Sequence, residues 1–365
     1  MTLATALITG NEPHPQLVED AVHQALAKAG LTQANSVLLF LTSEFSRHAQ
    51  AAVTAAARVA QCTQVAGGIA SGVLTETGWA LDRPAAAVMV LGGELTLGFP
   101  AGEHCPVLSY AGGVFPAEWD DTATRFGSTF SGTFAGSSAH AHPAVWHQSR
   151  LSEQQRLSVK FNEAELAIGV SSGLQWLGKA QPIESCTGYD VETIAGQSAE
   201  KSLRDALPEE FRQQPLPLHL FSAVIMDSEN SAIDATDSGS RSTPIIAINA
   251  DHSLTLAERV QPGQFLIWVI RQPDSAENEM RQCVDRLAES IPAPDAALMF
   301  SCIGRGPYFY AGEDRDLNVL RQRFPGLPIL GTYGTGQIAP ANPRSGEANR
   351  QLENAVVTAL IRRQT

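Results

Sequence analysis

Two segments far apart in the chain share an order of elements and a spacing of glycines. The first reads VLLFLTSEF, an Ala-rich stretch and AGGIASGVL; the second reads ALMFSCIGRG, a charged stretch and LGTYGTGQI. In each, a short apolar run typical of a buried strand precedes a helical pattern and a glycine-rich strand. The matching glycines are Gly67 and Gly72 in the first segment and Gly331 and Gly336 in the second. The chain is therefore expected to contain a weak internal repeat.

The wider pattern predicts an α/β (mixed α+β) fold of two domains, with mixed β-sheets flanked by helices. With 365 residues and 44% hydrophobic residues, the chain has room for about two domains of about 150 residues, each with its own core. The proline-containing stretch FRQQPLPLHL suggests the boundary. We predict domains at 1–216 and 217–345 and a closing helix over 346–365.

Local signals place two further helices in the first domain. HPQLVEDAVHQALAKAGLT has helical spacing of its apolar residues, and Gly30 supplies a stop. SRHAQAAVTAAARVAQ predicts an Ala-rich helix with Ser46 as its N-cap.

Composition excludes several classes of protein. The net charge is −13 and no segment gathers basic residues, which argues against a nucleic-acid binder. The five cysteines are scattered singly, which argues against a disulfide framework and a structural zinc site. The apolar runs are shorter than the ~18–20 residues needed to cross a bilayer, and the start of the chain is a poor signal peptide. We expect a soluble cytoplasmic protein without a bound metal or cofactor.

Glycines within strands point to a candidate ligand site. A glycine in a strand loses side-chain packing, so it usually marks a bulge or a close approach of the backbone to another group. Two related glycine-rich strands facing each other would form a cleft, and ligands favour such junctions. A twisted strand at a tight packing contact is the alternative explanation.

Cys302 and Arg305 follow the apolar run of the second segment. Cys302 could be a small buried hydrophobe, a side chain that lines a pocket, or a nucleophile whose pKa Arg305 lowers. A nucleophile also needs a general base, and no histidine is near in sequence. Arg305 lies between two glycines, where it could hold a carboxylate or phosphate; a surface arginine in a turn is the alternative.

Other candidate chemistry is weaker. Glu313, Asp314 and Asp316 could serve an enzyme, but they open a predicted helix, where acidic residues favour the helix dipole. His140, His142 and His147 are closely spaced, yet no carboxylate or thiol lies among them to complete a metal site.

The motifs resemble those of the FIST family. SCIGRG with LRQRFPGLPILGTYGTGQIAP is similar to the FIST C domain, and VLLFLTSEF, QVAGGIASGVLTETGW and YDVETIAGQSAEKSL are similar to FIST N. The likeness covers about residues 30–345 in family order. The family often has Glu where this chain has Gln337, and Cys where it has Gly68.

The resemblance implies a bacterial signal-transduction module that binds a small, anionic ligand such as an amino acid. Its output would need a signalling partner. An enzyme using Cys302 and a protein-binding adaptor remain alternatives. We predict that ligand contacts come from the strand ends of both segments, namely Gly67, Ser71, Gly72, Cys302, Arg305, Gly306, Gly331, Tyr333, Gly336 and Gln337.

Overall fold

The structure is a computed structural model that describes residues 2–100, 105–119, 121–132, 142–212, 215–228, 242–340 and 349–364. The described residues form mixed sheets flanked by helices, which confirms the predicted fold class. The chain divides into two compact units, of which the first comprises Met1–Ser171 and Met280–Thr365 and the second comprises Ser172–Glu279.

The described α-helices are α1 Pro15–Ala29, α2 Ala49–Ala60, α3 Ala199–Ala206, α4 Pro273–Ser290 and α5 Arg315–Arg323. The strands of the first unit are β1 Leu3–Thr9, β2 Ser36–Thr42, β3 Val65–Ala70, β4 Gly72–Thr75, β5 Gly78–Leu81, β6 Ala85–Leu91, β7 Thr96–Gly98, β8 Val107–Gly112, β9 Arg125–Phe130, β10 Val145–His147, β11 Arg150–Leu151, β12 Arg156–Asn162, β13 Ala164–Ser171, β21 Ala296–Cys302, β22 Ile329–Gly334, β23 Gly336–Pro340, β24 Asn349–Leu352 and β25 Val356–Arg363. Those of the second unit are β14 Leu174–Thr187, β15 Asp190–Ile194, β16 Gln197–Ser198, β17 Phe221–Met226, β18 Ser242–Ile248, β19 Leu254–Leu256 and β20 Phe265–Arg271.

The first unit contains three six-stranded sheets built to one plan. In each, a central parallel pair is flanked on one side by two antiparallel strands and on the other by an antiparallel hairpin. The orders are β1-β6-β2-β3-β10-β11, β13-β25-β21-β22-β4-β5 and β7-β12-β8-β9-β23-β24. The predicted repeat therefore occurs three times rather than twice.

The three parallel pairs share one register. Each has six aligned residue pairs, with a glycine of the second strand at the third pair. These glycines are Gly67, Gly331 and Gly127, opposite Leu39, Met299 and Ser109 respectively. A Cβ at any of them would lie 1.8–1.9 Å from the facing carbonyl oxygen. Glycine is needed because the two backbones approach closely at this point.

The sheets exchange strands in a cycle. The strand that follows β3 is β4, which pairs with β22 of the second sheet. The strand that follows β22 is β23, which pairs with β9 of the third sheet, and β10 after β9 pairs with β3 of the first. The exchange relates the three sheets by pseudo-three-fold symmetry.

The faces of these sheets form separate cores. Aromatic rings from equivalent positions of the three first strands meet at the centre, with ring centroids 5.3 Å apart for Phe40 and Tyr110 and 6.0 Å apart for Phe40 and Phe300. On the other face of the second sheet, Met299 belongs to a cluster with Met280 of α4 and Leu317 of α5. Each sheet face thus has its own set of buried partners.

The second unit is a single antiparallel sheet in the order β14-β20-β17-β18-β19-β15-β16. An additional pairing of β14 with β15 closes the sheet into a barrel. Its core includes Trp268, whose Nε1 donates a hydrogen bond of 2.9 Å to Oγ of Ser202 on α3.

Two local predictions are wrong. The expected closing helix over 346–365 is instead the strands β24 and β25 in its described part. Because β25 pairs with β13 on one side and β21 on the other, burial within a sheet overrides a sequence that also has helical spacing. Ser46 lies in a 3-10 turn, and His48 is the N-cap of α2. The helix ending at Gly30 is confirmed, since α1 closes there with Gly30 in the left-handed conformation.

The compact units divide the chain differently from the sequence boundary at residue 216. The reason is the pairing of β13 with β25, which returns the end of the chain to the first unit. The predicted ranges 1–216 and 217–345 describe family domains, and as such they stay predictions.

Candidate ligand site

Arg305 lies in the 3-10 turn Ile303–Arg305 that follows β21, and its side chain is fully buried. Its Nε and Nη2 donate hydrogen bonds of 3.0 Å to the two carboxylate oxygens of Asp316. Nη1 donates to the carbonyl oxygen of Ser171 at 2.8 Å, and Nη2 to Oγ of Ser171 at 2.7 Å. The anion that this guanidinium holds here is a carboxylate of its own chain. Its predicted contact with a ligand anion stays a prediction.

Two buried carboxylates at the start of α5 surround this arginine. Asp314 is the N-cap of α5 and accepts a hydrogen bond from the backbone nitrogen of Leu317 at 2.9 Å. The hydroxyl of Tyr333 donates to the other oxygen of Asp314. Asp316, one residue inside the helix, accepts a hydrogen bond of 3.0 Å from the hydroxyl of Tyr310. The prediction that this acidic cluster opens a helix is confirmed, since Asp314 caps α5 and Asp316 lies in its first turn.

Burial alters the protonation of these groups. It raises the pKa of Asp316 to about 6; the charge of Arg305 opposes the rise and that of Asp314 adds to it. Burial also raises the pKa of Asp314. The pKa values of Tyr310 and Tyr333 are raised as well, chiefly by burial, so both phenols stay protonated donors. Two carboxyls share one close guanidinium, and this favours proton uptake by one of them as pH falls.

Tyr333 connects this network to a strand end of the first sequence segment. Its ring lies where a Cβ on Gly72 or Gly306 would come within 3.0 Å, and Tyr333 pairs with Gly72 across β22 and β4. Its carbonyl oxygen accepts a hydrogen bond of 3.0 Å from the backbone nitrogen of Ser71. The hydroxyl oxygen of Ser71 is shielded from solvent and has no hydrogen-bond partner among the described residues. Five predicted site residues are therefore brought together, since Arg305 immediately precedes Gly306.

Cys302 ends β21 and is 5% exposed. Its Sγ lies 3.9 Å from the amide oxygen of Asn354, and a Cβ on Gly304 would lie 2.8 Å from the same oxygen. An amide cannot accept a proton as a general base would, so this contact does not activate the thiol. The pocket-lining and nucleophilic roles stay predictions.

The remaining predicted glycines pack against protein. The Cβ positions of Gly67 and Gly331 are taken by the carbonyl oxygens of Leu39 and Met299, and that of Gly336 by the side-chain amide of Gln351, 2.5–2.6 Å away. At these positions the structure has the tight packing contact that the sequence analysis gave as an alternative.

Gln337 lies on β23, on the sheet face that carries Ser128 of β9. Its side chain is fully buried, and neither Nε2 nor Oε1 has a hydrogen-bond partner among the described residues. Tyr333, by contrast, belongs to the cluster beneath α4 and α5. The predicted site residues thus fall in two places.

Sequence reasoning singled out Asp314 and Asp316 but did not connect them with Arg305. Tyr310, Asp314 and Asp316 lie in the same segment, GRGPYFYAGEDRD, and a signal was present: two acidic residues shortly after an arginine at the end of a buried strand. Ser171 is far away in sequence and is brought near only by the pairing of β13 with β25.

Neither a metal-ligand cluster nor a membrane-spanning helix is found among the described residues. Within the described ranges, three or more His, Cys, Asp or Glu side chains do not gather in a way that could hold a metal ion. Of the histidines singled out from sequence, His140 lies outside the described residues. Among the helices that the structure describes, none has the length and apolar character needed to cross a membrane.

The fold and the site together define a class: a two-unit α+β protein whose first unit holds a buried polar network at the ends of glycine-rich strands. Residues 200–340 match the family model of the FIST C domain, a sensory-type domain family, so this part of the chain is a FIST C domain. The FIST N part of the prediction stays a prediction.

Curated relatives are uncharacterized proteins of mycobacteria. One, from Mycobacterium bovis, is 26% identical over 182 residues, which is 48% of this chain and 46% of the relative. Another, from Mycobacterium tuberculosis, is 23% identical over 189 residues, 50% of this chain and 49% of the relative. The matches span about half the length of these relatives.

Proposed function

We propose that the protein is a cytoplasmic sensory module that binds a small ligand with an acidic group, such as an amino acid, and signals through a protein partner. The observation that carries the proposal is the convergence of Ser71, Gly72, Gly306 and Tyr333 beside the buried Arg305 network. Residues predicted as ligand contacts from two distant segments lie together there. The match to a sensory-type domain family supports the same function.

The network suggests how an acidic ligand is bound. Arg305 holds Asp316 through two parallel hydrogen bonds, the geometry that arginine offers to any carboxylate. A ligand carboxylate can take the place of Asp316 if Asp316 takes up a proton, because the total buried charge then stays the same. The raised pKa of Asp316 lowers the cost of this proton uptake.

The position of Asp316 offers a route from ligand to signal. Asp316 is in the first turn of α5, and its neighbour Asp314 caps that helix. Release of Asp316 from Arg305 would therefore loosen the start of α5. In this proposal a partner protein recognises the altered helix end.

The test is a thermal-shift screen of wild type, Arg305→Lys and Asp316→Asn against amino acids, keto acids, nucleotides and common cofactors. A ligand at about a hundredfold excess over its Kd stabilises the native state by about 2.7 kcal/mol. We expect a saturable rise in Tm that Arg305→Lys loses, because lysine lacks the planar fork. Asp316→Asn should bind the same compound more tightly, since the competing carboxylate is gone.

Asp285→Asn is the matched control, because Asp285 pairs with Arg323 on the surface. It should leave the ligand response unchanged. If Asp316→Asn binds no more tightly than wild type, the ligand does not compete with Asp316. Turnover of the bound compound that Cys302→Ser abolishes would replace the sensor by an enzyme, and a blank panel would favour the adaptor.

A further inference from the structure

The pseudo-three-fold symmetry allows equivalent interior positions to be compared. Directly after the glycine of each central pair, three residues lie side by side across three neighbouring strands and face the interior. We call each set of three a central layer. The central layers are Phe40–Gly68–Val145, Phe300–Thr332–Val73 and Tyr110–Ser128–Gln337.

The third central layer is polar at every position, whereas the others carry phenylalanine and valine at its first and last positions. All three of its side chains are fully buried. The hydroxyl of Tyr110 donates a hydrogen bond of 2.7 Å to the carbonyl oxygen of Ile69, and Oγ of Ser128 donates one of 2.9 Å to that of Gly336. Within this layer, the amide of Gln337 alone has no hydrogen-bond partner among the described residues.

The fold does not require an amide at this place. Val73 and Val145 fill the equivalent positions of the other layers, so an apolar side chain satisfies the same backbone geometry. A buried amide without hydrogen bonds destabilises the native state, because its hydration is lost and nothing replaces it. The retained amide therefore calls for a partner that the described residues do not supply.

The surroundings of Gln337 define the chemistry of that partner. An amide presents a donor and an acceptor side by side, and it is matched by another group that carries both. The side chains directly opposite Gln337 on β9 and β24 are those of Ser128 and Leu352, and the next residue in the layer is Tyr110. Arg350 lies on the same face of β24, where it pairs with Ala339. A carboxylate can accept a hydrogen bond from Nε2 of Gln337 but has no hydrogen to donate to Oε1, so a neutral carboxamide or undissociated acid is the better match.

We propose that Gln337 is the contact residue of a second, interior site that takes a small neutral molecule with a carboxamide or an undissociated carboxylic acid. The site lies on the interior face of the third sheet, whereas Tyr333 lies on the helix-covered face of the second sheet, so the site does not depend on the role proposed for Arg305. The amide of Gln337 donates to the carbonyl oxygen of the ligand and accepts from its N–H or O–H.

The experiment uses acetamide as the probe and acetate as its charged counterpart. Protein labelled with ¹⁵N at glutamine side chains is titrated at neutral pH, and the NH₂ signal of Gln337 is identified as the pair absent from Gln337→Val. We expect acetamide to shift this signal saturably and to raise Tm, and acetate to do neither. Gln337→Asn provides the assignment if Gln337→Val fails to fold.

Three variants define the outcome. Thr358→Val removes another fully buried polar group without a partner among the described residues, on the face of Met299, and should keep the acetamide response. Gln337→Val should lose it, while Arg305→Lys should keep it. If acetamide leaves the Gln337 signal unmoved, or raises the Tm of Gln337→Val as much as that of wild type, the interior site is refuted. If wild type responds to acetamide but to no acidic compound in the thermal-shift screen, the result counts against the proposed function and not against the interior site.

Discussion

The network around Arg305 and the amide of Gln337 lie on opposite faces of the sheets of one unit, and they meet their hydrogen-bonding needs differently. Both are fully buried. Arg305 donates to Asp316 and Ser171, and the tyrosine hydroxyls complete the network at Asp314 and Asp316. Gln337 has no such partner among the described residues.

The difference shows how the native state can accommodate a buried charge and a buried neutral amide. A buried guanidinium requires a counter-charge, so the chain must supply one whether or not a ligand is present. A neutral amide without a partner costs less, so it can be left open for a ligand. We therefore expect the Arg305 network to contribute mainly to the stability of the fold, and the amide of Gln337 to contribute mainly to ligand binding. The following experiments test this contrast, beginning with the largest expected effect.

Arg305→Ala tests whether the Arg305 network stabilises the fold. It leaves Asp314 and Asp316 buried without their close cation, and we expect it to lower the free energy of unfolding by about 3–5 kcal/mol in urea denaturation. Arg323→Ala is the control, because Arg323 and Asp285 are 45% and 59% exposed; an exposed pair contributes about 1 kcal/mol or less. Equal losses in both variants would contradict a stabilising network.

Gly127→Ala tests whether the third sheet, which contains Gln337, is held by the same backbone contact as the others. The new Cβ would lie 1.9 Å from the carbonyl oxygen of Ser109, and φ is +147°. We expect a loss of about 3 kcal/mol, at the upper end for overpacking, measured by thermal unfolding. Gly78→Ala, which has no atom within 4 Å of its new Cβ, should be nearly neutral. A harmless Gly127→Ala would refute the shared plan of the three sheets.

The pH dependence of stability tests the protonation of the Arg305 network. The folded pKa of Asp316 is raised to about 6 from the ordinary value of 3.8, so the native state binds more protons between these values. The contribution of Asp316 to stability therefore falls as pH rises from about 4 to about 6. In urea denaturation over this range, the unfolding free energy of the wild type should therefore fall with rising pH relative to that of Asp316→Asn, which has no carboxyl group to titrate at this position. Parallel curves would show that the pKa of Asp316 is not raised.

Tyr110→Phe makes the third central layer resemble the other two at one position. It removes the hydrogen bond to Ile69 and leaves that carbonyl oxygen buried. We expect a loss of about 1 kcal/mol in the free energy of unfolding from urea denaturation. The equivalent residues Phe40 and Phe300 show that the ring itself fits. A gain in stability would mean that the hydroxyl of Tyr110, like the amide of Gln337, destabilises the native state.

Several features were predictable from sequence because they depend on neighbouring residues. Helix α1 ends at Gly30, and the apolar runs at β2 and β21 are buried strands. The predicted match of Gly67 with Gly331 is confirmed, since the two glycines face Leu39 and Met299 at the same position of their parallel pairs. Gly127 was missed because the described connection between β8 and β9 carries only the 3-10 turn Ala117–Trp119 where the other repeats carry a helix.

The sequence by itself determined helix α1, the buried strands β2 and β21 and the FIST C resemblance, because spacing and local backbone preference decide these. Only the tertiary structure decided the fate of the end of the chain, the third repeat and the partners of Arg305. The physical reason is that strand pairing, counter-charges and interior hydrogen bonds join residues far apart in sequence. Ser171 reaches Arg305, and Gln337 joins Tyr110, only after the sheets have formed.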